Sequence, residues 1–149
     1  MSSRHDWDSW DQYQNTHERR LRDFDQFLIE DRLKAIPLPT KVRWEGELIF
    51  QHGLEIHVHK TQDKLAHEVG IPIVKTIAYS YQVFRRHGDR VVELRRYDNS
   101  DHHGYPDPHH RHRFNANGEE IRPPEYVGVD NWPTLGDVIQ EVYDQWGTT

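Results

Sequence analysis

The chain contains no cysteine and no long apolar run. The absence of cysteine excludes disulfide bonds and every zinc site that is built on thiolates. No stretch of about 18 consecutive apolar residues is present, so the sequence offers no candidate for a membrane-spanning helix. The first residues also lack the apolar segment that is typical of a signal peptide. These absences lead us to expect a cytoplasmic protein.

Apolar residues are scarce, since 34% of the chain is hydrophobic and 30% is charged. Aromatic residues compensate, with five Trp, seven Tyr and five Phe, so any core must contain aromatic side chains. A length of 149 residues fits one domain. The net charge of -6 argues against a general nucleic-acid coat protein, whose surface would be basic. A local basic site for one phosphate or a short single strand is still compatible with this charge.

Alternating apolar and polar residues predict an antiparallel β-meander of about five or six strands. The predicted strands lie at residues 41–60 (a hairpin), 71–86, 91–97, 109–114 and 119–122. In the longest of them, every second side chain from Ile77 to Val83 should share one face. Asn117-Gly118 predicts a tight turn before the last strand, and Pro123 and Pro124 should end the sheet.

Two helices are predicted to flank this meander. The first should begin at Thr16 as N-cap and continue to Ile36, before Pro37 and Pro39 end it. The second follows Thr134, with Asp137 at the capping-box position and an apolar stripe at helical spacing. The predicted fold class is therefore α+β, with both helices packed on the sheet. We expect residues 1–40 to form a polar arm and helix, and residues 41–149 to form a single domain.

Histidine and arginine concentrate in residues 95–113. This segment contains five of the twelve histidines and four arginines: His102, His103, His109, His110, His112, Arg95, Arg96, Arg111 and Arg113. Histidine exchanges protons near neutral pH, and the arginine fork suits phosphate. Strand alternation should place His110 and His112 on one face, with Arg111 and Arg113 on the other.

Simple alternation along the preceding strand should place Arg96 and Asp98 on the same side as Val92 and Leu94, with Tyr97 opposite. If this strand pairs with residues 109–114, Arg96 should point into one pocket with the two histidines.

The residue types in this cluster leave three chemistries open. Two histidines and an arginine suit RNA transesterification, in which one imidazole takes a proton and a second gives one. The same histidines could bind a divalent metal ion, with Asp98, Asp101 or Asp107 as a carboxylate ligand. A third reading is a polar segment without chemistry of its own.

The motif Arg96-Tyr97-Asp98-Asn99, followed by His102-His103 and then by His109-His110-Arg111-His112, resembles the signature of the TumE-like toxin family. These are small bacterial and archaeal proteins encoded beside a helix-turn-helix antitoxin. The resemblance extends over residues 45–146. It implies growth arrest through RNA cleavage, with a cognate helix-turn-helix antitoxin protein and RNA as partners.

We therefore predict a toxin that acts as an endoribonuclease without metal or other cofactor. The predicted catalytic residues are His110 and His112 as the acid–base pair, aided by His102 or His103. The predicted substrate-binding residues are Arg96, Arg111, Arg113, Tyr97, Asp98, Asn99 and Tyr105. Among them, Arg96 and Arg113 should hold phosphate, and Tyr97 or Tyr105 should stack a base.

Two alternatives accompany this prediction. The first is a divalent-metal-dependent hydrolase or nuclease, with an ion such as Zn²⁺ on His102, His110, His112 and Asp98. The second is a non-catalytic interaction module whose N-terminal helix binds a partner protein.

Overall fold

The computed structural model describes residues 6–66, 70–99, 109–128 and 131–148. In chain order the elements are β1 (Asp8–Ser9), α1 (Trp10–Arg22), β2 (Leu28–Asp31), β3 (Lys34–Pro37), β4 (Lys41–Phe50), a 3₁₀ turn (Gln51–Gly53), β5 (Leu54–Leu65), β6 (Ile73–His87), β7 (Arg90–Asp98), β8 (His110–Phe114), β9 (Glu120–Tyr126) and α2 (Leu135–Trp146).

The strands form one antiparallel sheet in the order β2-β4-β5-β6-β7-β8-β9, with β3 on β4 and β1 on β6 as short additions. The predicted α+β class is confirmed. The number of strands within the described part of the chain exceeds the predicted five or six. The difference arises because three short strands lie in the N-terminal region, where an arm and a helix were predicted.

Both helices cover the same face of the sheet. On β5 the side chains at even positions, from Leu54 through Val58, are fully buried on that face. Tyr79 and Tyr81 of β6 belong to the same buried cluster, together with the apolar stripe of α2. Aromatic residues thus supply much of the core, as the scarcity of aliphatic residues predicts. The opposite face of the sheet carries the polar side chains of β6, β7 and β8.

Helix α2 is formed as predicted. The Thr134 hydroxyl accepts a hydrogen bond from the Asp137 backbone N–H at 3.2 Å, and the Asp137 carboxylate accepts one from the Thr134 N–H at 2.9 Å. Val138, Ile139 and Val142 are buried against the sheet. Within the described residues, neither helix has the length and apolarity that crossing a lipid bilayer requires.

The predicted N-terminal helix is wrong at both ends. Helix α1 begins after Ser9, whose hydroxyl accepts a hydrogen bond from the Gln12 N–H at 3.1 Å, and it ends at Arg22. Its first turn is not a free arm, because the ring centroid of Trp10 lies 5.8 Å from that of Trp44 on β4.

The residues that follow α1 extend the sheet instead of the helix. Leu28–Asp31 and Lys34–Pro37 pair with successive parts of β4, which satisfies their backbone groups in a ladder. Phe24 and Phe27, in the turn between α1 and β2, are buried in the main core. The N-terminal region therefore contributes side chains to the same core as the rest of the chain.

Irregular pairing breaks simple alternation on β6 and on β9. Ile77 is an extra residue on β6, between the pairs Thr61↔Ala78 and Gln62↔Thr76, so it is 40% exposed and does not share the buried face of Tyr79. The two prolines, Pro123 and Pro124, do not end the sheet.

Strand β9 runs through both prolines to Tyr126. Between the pairs Arg111↔Glu125 and Arg113↔Ile121, β9 has two more residues than β8. Proline lacks the N–H that a ladder needs, so the strand bends away there and resumes pairing beyond them.

Candidate functional site

The register between β7 and β8 assembles the candidate site. Asp98 is paired with His110, and Arg96 is paired with His112. Their side chains project from the sheet face opposite the two helices. The prediction that the two histidines share a face with Arg96 is confirmed, because antiparallel partners project to the same side.

Asp98 connects the two histidines. One carboxylate oxygen lies 3.4 Å from Nδ1 of His110, and the other lies 3.4 Å from Nε2 of His112. The imidazole centroids are 5.9 Å apart. His110 has no exposed surface, and its ring packs edge-on to Tyr126 with a centroid distance of 4.8 Å. His112 retains 4% exposure, so it is the histidine nearer to solvent.

Glu120 is a site residue that the sequence did not reveal. Its Oε1 lies 2.6 Å from Nδ1 of His112, which therefore has a carboxylate beside each ring nitrogen. Glu120 is the first residue of β9, directly after the Asn117-Gly118 turn. The only signal in the sequence was this turn, because a tight turn brings the residues that follow it beside the preceding strand.

The pKa of His112 is raised above its ordinary value of 6.5. The hydrogen bond with Asp98 is the main cause, and the hydrogen bond with Glu120 acts in the same direction. Burial and the nearby Arg96 guanidinium oppose the increase without cancelling it. Two carboxylates thus favour the imidazolium form, which can give a proton.

Arg96 lies among three carboxylates. Its nitrogens approach Asp98 at 3.4 Å, Glu120 at 3.5 Å and Glu93 at 3.7 Å. Its guanidinium carbon also lies 5.8 Å from the centroid of the Phe114 ring. About a third of the side chain is exposed, so the guanidinium is held in place while part of it faces solvent.

A bulge in β7 overturns one prediction about which side chains share a face. Leu94 is an extra residue on β7, between the pairs Val83↔Arg95 and Phe84↔Glu93. Leu94 packs on the main core, whereas Arg96 and Asp98 project from the other face. Their predicted placement on the same side as Leu94 is therefore wrong, because a bulge reverses strict alternation.

An open cleft of about 450 Å³ lies in front of His112. It is lined by Ser80, Gln82, Arg96, Asp98, His112, Glu120, Arg122 and Pro124. The detour of β9 at its prolines contributes one wall, and Arg122 at the rim is 83% exposed while its Nε lies 3.1 Å from Glu120. The cleft thus presents two arginines, one histidine and two carboxylates to the same volume.

Three predicted substrate-binding residues project to the helix side instead. The Tyr97 hydroxyl donates to Glu141 of α2, and burial together with this carboxylate raises the tyrosine pKa. Arg111 and Arg113 both pair with Glu125, the latter at 2.9 Å. The structure thus separates these three from His110 and His112 by the thickness of the sheet.

Asn99 and His109 also have structural partners. The Asn99 amide accepts a hydrogen bond from the Tyr79 N–H at 3.0 Å and donates to the Ile77 carbonyl at 2.9 Å, so it extends the pairing between β6 and β7. His109 stacks on Trp132 with centroids 4.9 Å apart, and its Nδ1 lies 2.9 Å from the Tyr79 hydroxyl.

The remaining predicted site residues lie outside the described residues. They are His102, His103 and Tyr105, together with the alternative metal ligands Asp101 and Asp107. Their predicted roles stay predictions.

The described residues do include one group that could hold a metal ion. Asp98, His110 and His112 each offer a ligand atom, and these atoms all lie within 4.8 Å of one another. Two imidazoles and one carboxylate are a common donor set for divalent transition metals. With Nε2 of His112 toward this group, Glu120 holds the other ring nitrogen, as an outer carboxylate does for many metal-bound histidines.

Comparison with protein-family models, with curated proteins and with solved structures found no match for this chain.

Proposed function

We propose that this chain is an endoribonuclease of the toxin type, and that the cleft in front of His112 holds the scissile phosphodiester. The observation that carries the proposal is the meeting of His112, Glu120 and two arginines in one open cleft. A proton donor, a proton acceptor and fixed positive charge are sufficient for RNA transesterification, because the nucleophile is the substrate's own 2′-hydroxyl.

Each group has a definite role in the proposed reaction. The Glu120 carboxylate takes the proton from the 2′-hydroxyl, whose oxygen then bonds to phosphorus. The bond from phosphorus to the 5′-oxygen breaks, and the His112 imidazolium gives that leaving oxygen its Nε2 proton, which in the free protein faces Asp98 at 3.4 Å. Arg96 and Arg122 neutralise the charge on the phosphoryl oxygens. The product is a 2′,3′-cyclic phosphate.

In this proposal His110 neither gives a proton to the substrate nor takes one from it. Because it is fully buried behind Asp98, it cannot reach a substrate in the cleft. It orients the Asp98 carboxylate, which in turn orients His112.

The test compares an RNA oligonucleotide with its 2′-deoxy counterpart. Wild-type protein should cleave only the RNA, and mass spectrometry should detect the cyclic phosphate. His112→Ala should slow cleavage by about 100-fold or more, and Arg122→Ala by about tenfold. His87→Ala, at the exposed end of β6, is the matched control and should leave the rate unchanged. Thermal melting checks that each variant folds.

Arg122→Ala keeps this test informative if His112→Ala does not fold, because Arg122 is highly exposed. Equal cleavage of RNA and DNA, or full activity in both cleft variants, would contradict the proposal.

The toxin part of the proposal rests on the motif at residues 96–112. A toxin of this type would act on cytoplasmic RNA and would be held inactive by a helix-turn-helix antitoxin. Induced expression in bacteria should therefore arrest growth, and His112→Ala should relieve the arrest at equal protein level. Arrest that persists in this variant at equal abundance would separate toxicity from the cleft.

A divalent-metal-dependent hydrolase or nuclease is the second candidate. The specific observation in its favour is the group of Asp98, His110 and His112, whose ligand atoms lie within 4.8 Å of one another. Tag-free protein should then contain close to one equivalent of Zn²⁺ or a similar ion by elemental analysis, and Asp98→Asn should lower that content. Activity that survives a chelator, with far less than one equivalent of metal, favours the metal-independent reaction.

A further inference from the structure

A second cavity lies on the helix side of the sheet, remote from the cleft at His112. It has a volume of about 180 Å³, is partly open to solvent, and lies between α1, α2, β1 and the far end of β5. Leu21, Leu135 and Ile139 contribute apolar walls, and Lys60 and Arg20 contribute cationic groups. A volume of this size would hold about six water molecules, at roughly 30 Å³ each.

Lys60 is a buried cation in the wall of this cavity. It continues the buried face of β5 beyond Val58 and is only 3% exposed. Its ammonium group donates to the Tyr13 hydroxyl and lies 4.9 Å from the ring centroids of Tyr13 and Trp44. It forms no ion pair with a carboxylate in the described part of the chain, although a buried charge ordinarily requires one.

Arg20 approaches the cavity from the last turn of α1. Its guanidinium lies against the backbone of Gly136, where a Cβ atom would be 2.4 Å from Nε. Glycine at the start of α2 therefore makes room for this side chain. Across residues 6–66, 70–99, 109–128 and 131–148, no carboxylate forms an ion pair with Arg20.

The charge balance of the cavity is positive. Asp8 is the single acidic residue among the described residues that line it, against the two cations. His17, also in the wall, has its pKa lowered to about 4 by burial and by the charge of Lys60, so it is neutral at physiological pH. The cavity is therefore positive and mostly apolar, although the net charge of the chain is -6.

We propose that this cavity is a binding site for a small monocarboxylate with an apolar body, such as an aromatic acid or a short-chain fatty acid. The carboxylate would lie between Lys60 and Arg20, which supply charge-assisted hydrogen bonds. The apolar body would contact Leu21, Leu135 and Ile139, as the walls of small-molecule sites commonly do. This proposal is independent of any reaction at His112.

The test uses benzoate as probe and benzamide as its neutral counterpart of nearly the same shape. Titration followed by NMR chemical shifts, in low-chloride buffer, should show benzoate binding at least about tenfold more tightly than benzamide. Lys60→Met and Arg20→Met keep the apolar stems and should each weaken benzoate by a similar factor. Lys34→Met, and Arg19→Met on the same helix as Arg20, are the matched controls and should not.

The comparison of benzoate with benzamide needs only the wild-type chain, so it holds even if Lys60→Met does not fold. His112→Ala should bind benzoate as the wild type does. Equal affinity for the two probes, no benzoate binding at millimolar concentration, or unchanged binding in both folded methionine variants would overturn the proposal.

Discussion

At the residue scale, a single carboxylate contacts three of the charged or titratable side chains of the candidate site. Asp98 contacts two histidines and Arg96, each at 3.4 Å. Much of this could be predicted from sequence, because residues two apart on a strand share a face and the motif places Asp98 and His110 on strands that were expected to pair.

Glu120 and Glu93 were not predictable in the same way. Glu120 arrives from a third strand, and Glu93 faces Arg96 only because Leu94 forms a bulge. The hydrophobic pattern does not reliably indicate which residues pair on the far side of β8. It does not reliably indicate the position of a bulge either.

His17 gives a prediction at the same scale. Its folded-state pKa is about 4, below the ordinary value of 6.5, because burial and Lys60 disfavour the charged form. Between these two pH values the unfolded chain binds the proton and the folded chain does not, so the free energy of unfolding falls as pH falls from 6.5 to 4. The loss from this group is at most about 3 kcal/mol.

Chemical denaturation of wild type and His17→Gln at several pH values measures this effect. The wild type should lose more stability than His17→Gln over that interval, whereas His87→Gln should follow the wild type. Parallel curves for wild type and His17→Gln would contradict the assignment.

At the element scale, the sequence correctly predicted the helix whose start is determined by residues close together in the chain. The capping box at Thr134 and Asp137 is formed within one turn, so α2 was predictable from a short stretch of sequence. The residues from Leu28 to Pro37 have a similar apolar spacing, yet they form strands because β4 offers them a ladder. That outcome depends on a partner distant in sequence, which helical periodicity does not report.

Gly46 in β4 shows how closely those strands approach. A Cβ at this position would lie 2.2 Å from the Arg32 carbonyl oxygen, and φ is +138°. Gly46→Ala should therefore lower the free energy of unfolding by more than about 3 kcal/mol, through steric overlap added to backbone strain.

Gly88→Ala is the matched control, because φ is also positive there but the space around it is empty. Its cost should be about 1 kcal/mol, measured by urea unfolding. Equal costs would show that β2 and β3 do not approach β4 so closely.

At the whole-molecule scale, the N-terminal residues belong to the main core. Phe27 is 4% exposed and stacks on Phe50 with ring centroids 4.7 Å apart, whereas Ile29 is 65% exposed. Phe27→Ala should cost about 3–5 kcal/mol of unfolding free energy, and Ile29→Ala less than about 0.5 kcal/mol. Urea denaturation measures both. Similar small losses would indicate that the N-terminal region folds apart from the sheet.

The distribution of charge makes a further prediction for the whole molecule. The net charge is -6, and among the described residues Arg96 and Arg122 are the arginines that line the cleft. If about two phosphates are neutralised, the affinity of His112→Ala for single-stranded RNA should fall with salt at a logarithmic slope of about -1.4. Removing Arg122 as well should reduce the slope by about 0.7. Fluorescence anisotropy at several salt concentrations measures it, and a much steeper slope would mean that RNA contacts a surface beyond the cleft.

The extra residue at Leu94 has a consequence for how this chain can change over generations. Side chains along β7 alternate between two faces, so gaining or losing one residue exchanges the faces of everything on one side of the change. Leu94 is already such an extra residue, so its loss would restore regular pairing with β6 and leave Arg96 and Asp98 in the cleft. A lineage that keeps Arg96 and Asp98 can therefore lose this codon, whereas a second insertion between Glu93 and Asp98 would turn part of the cleft toward the helices.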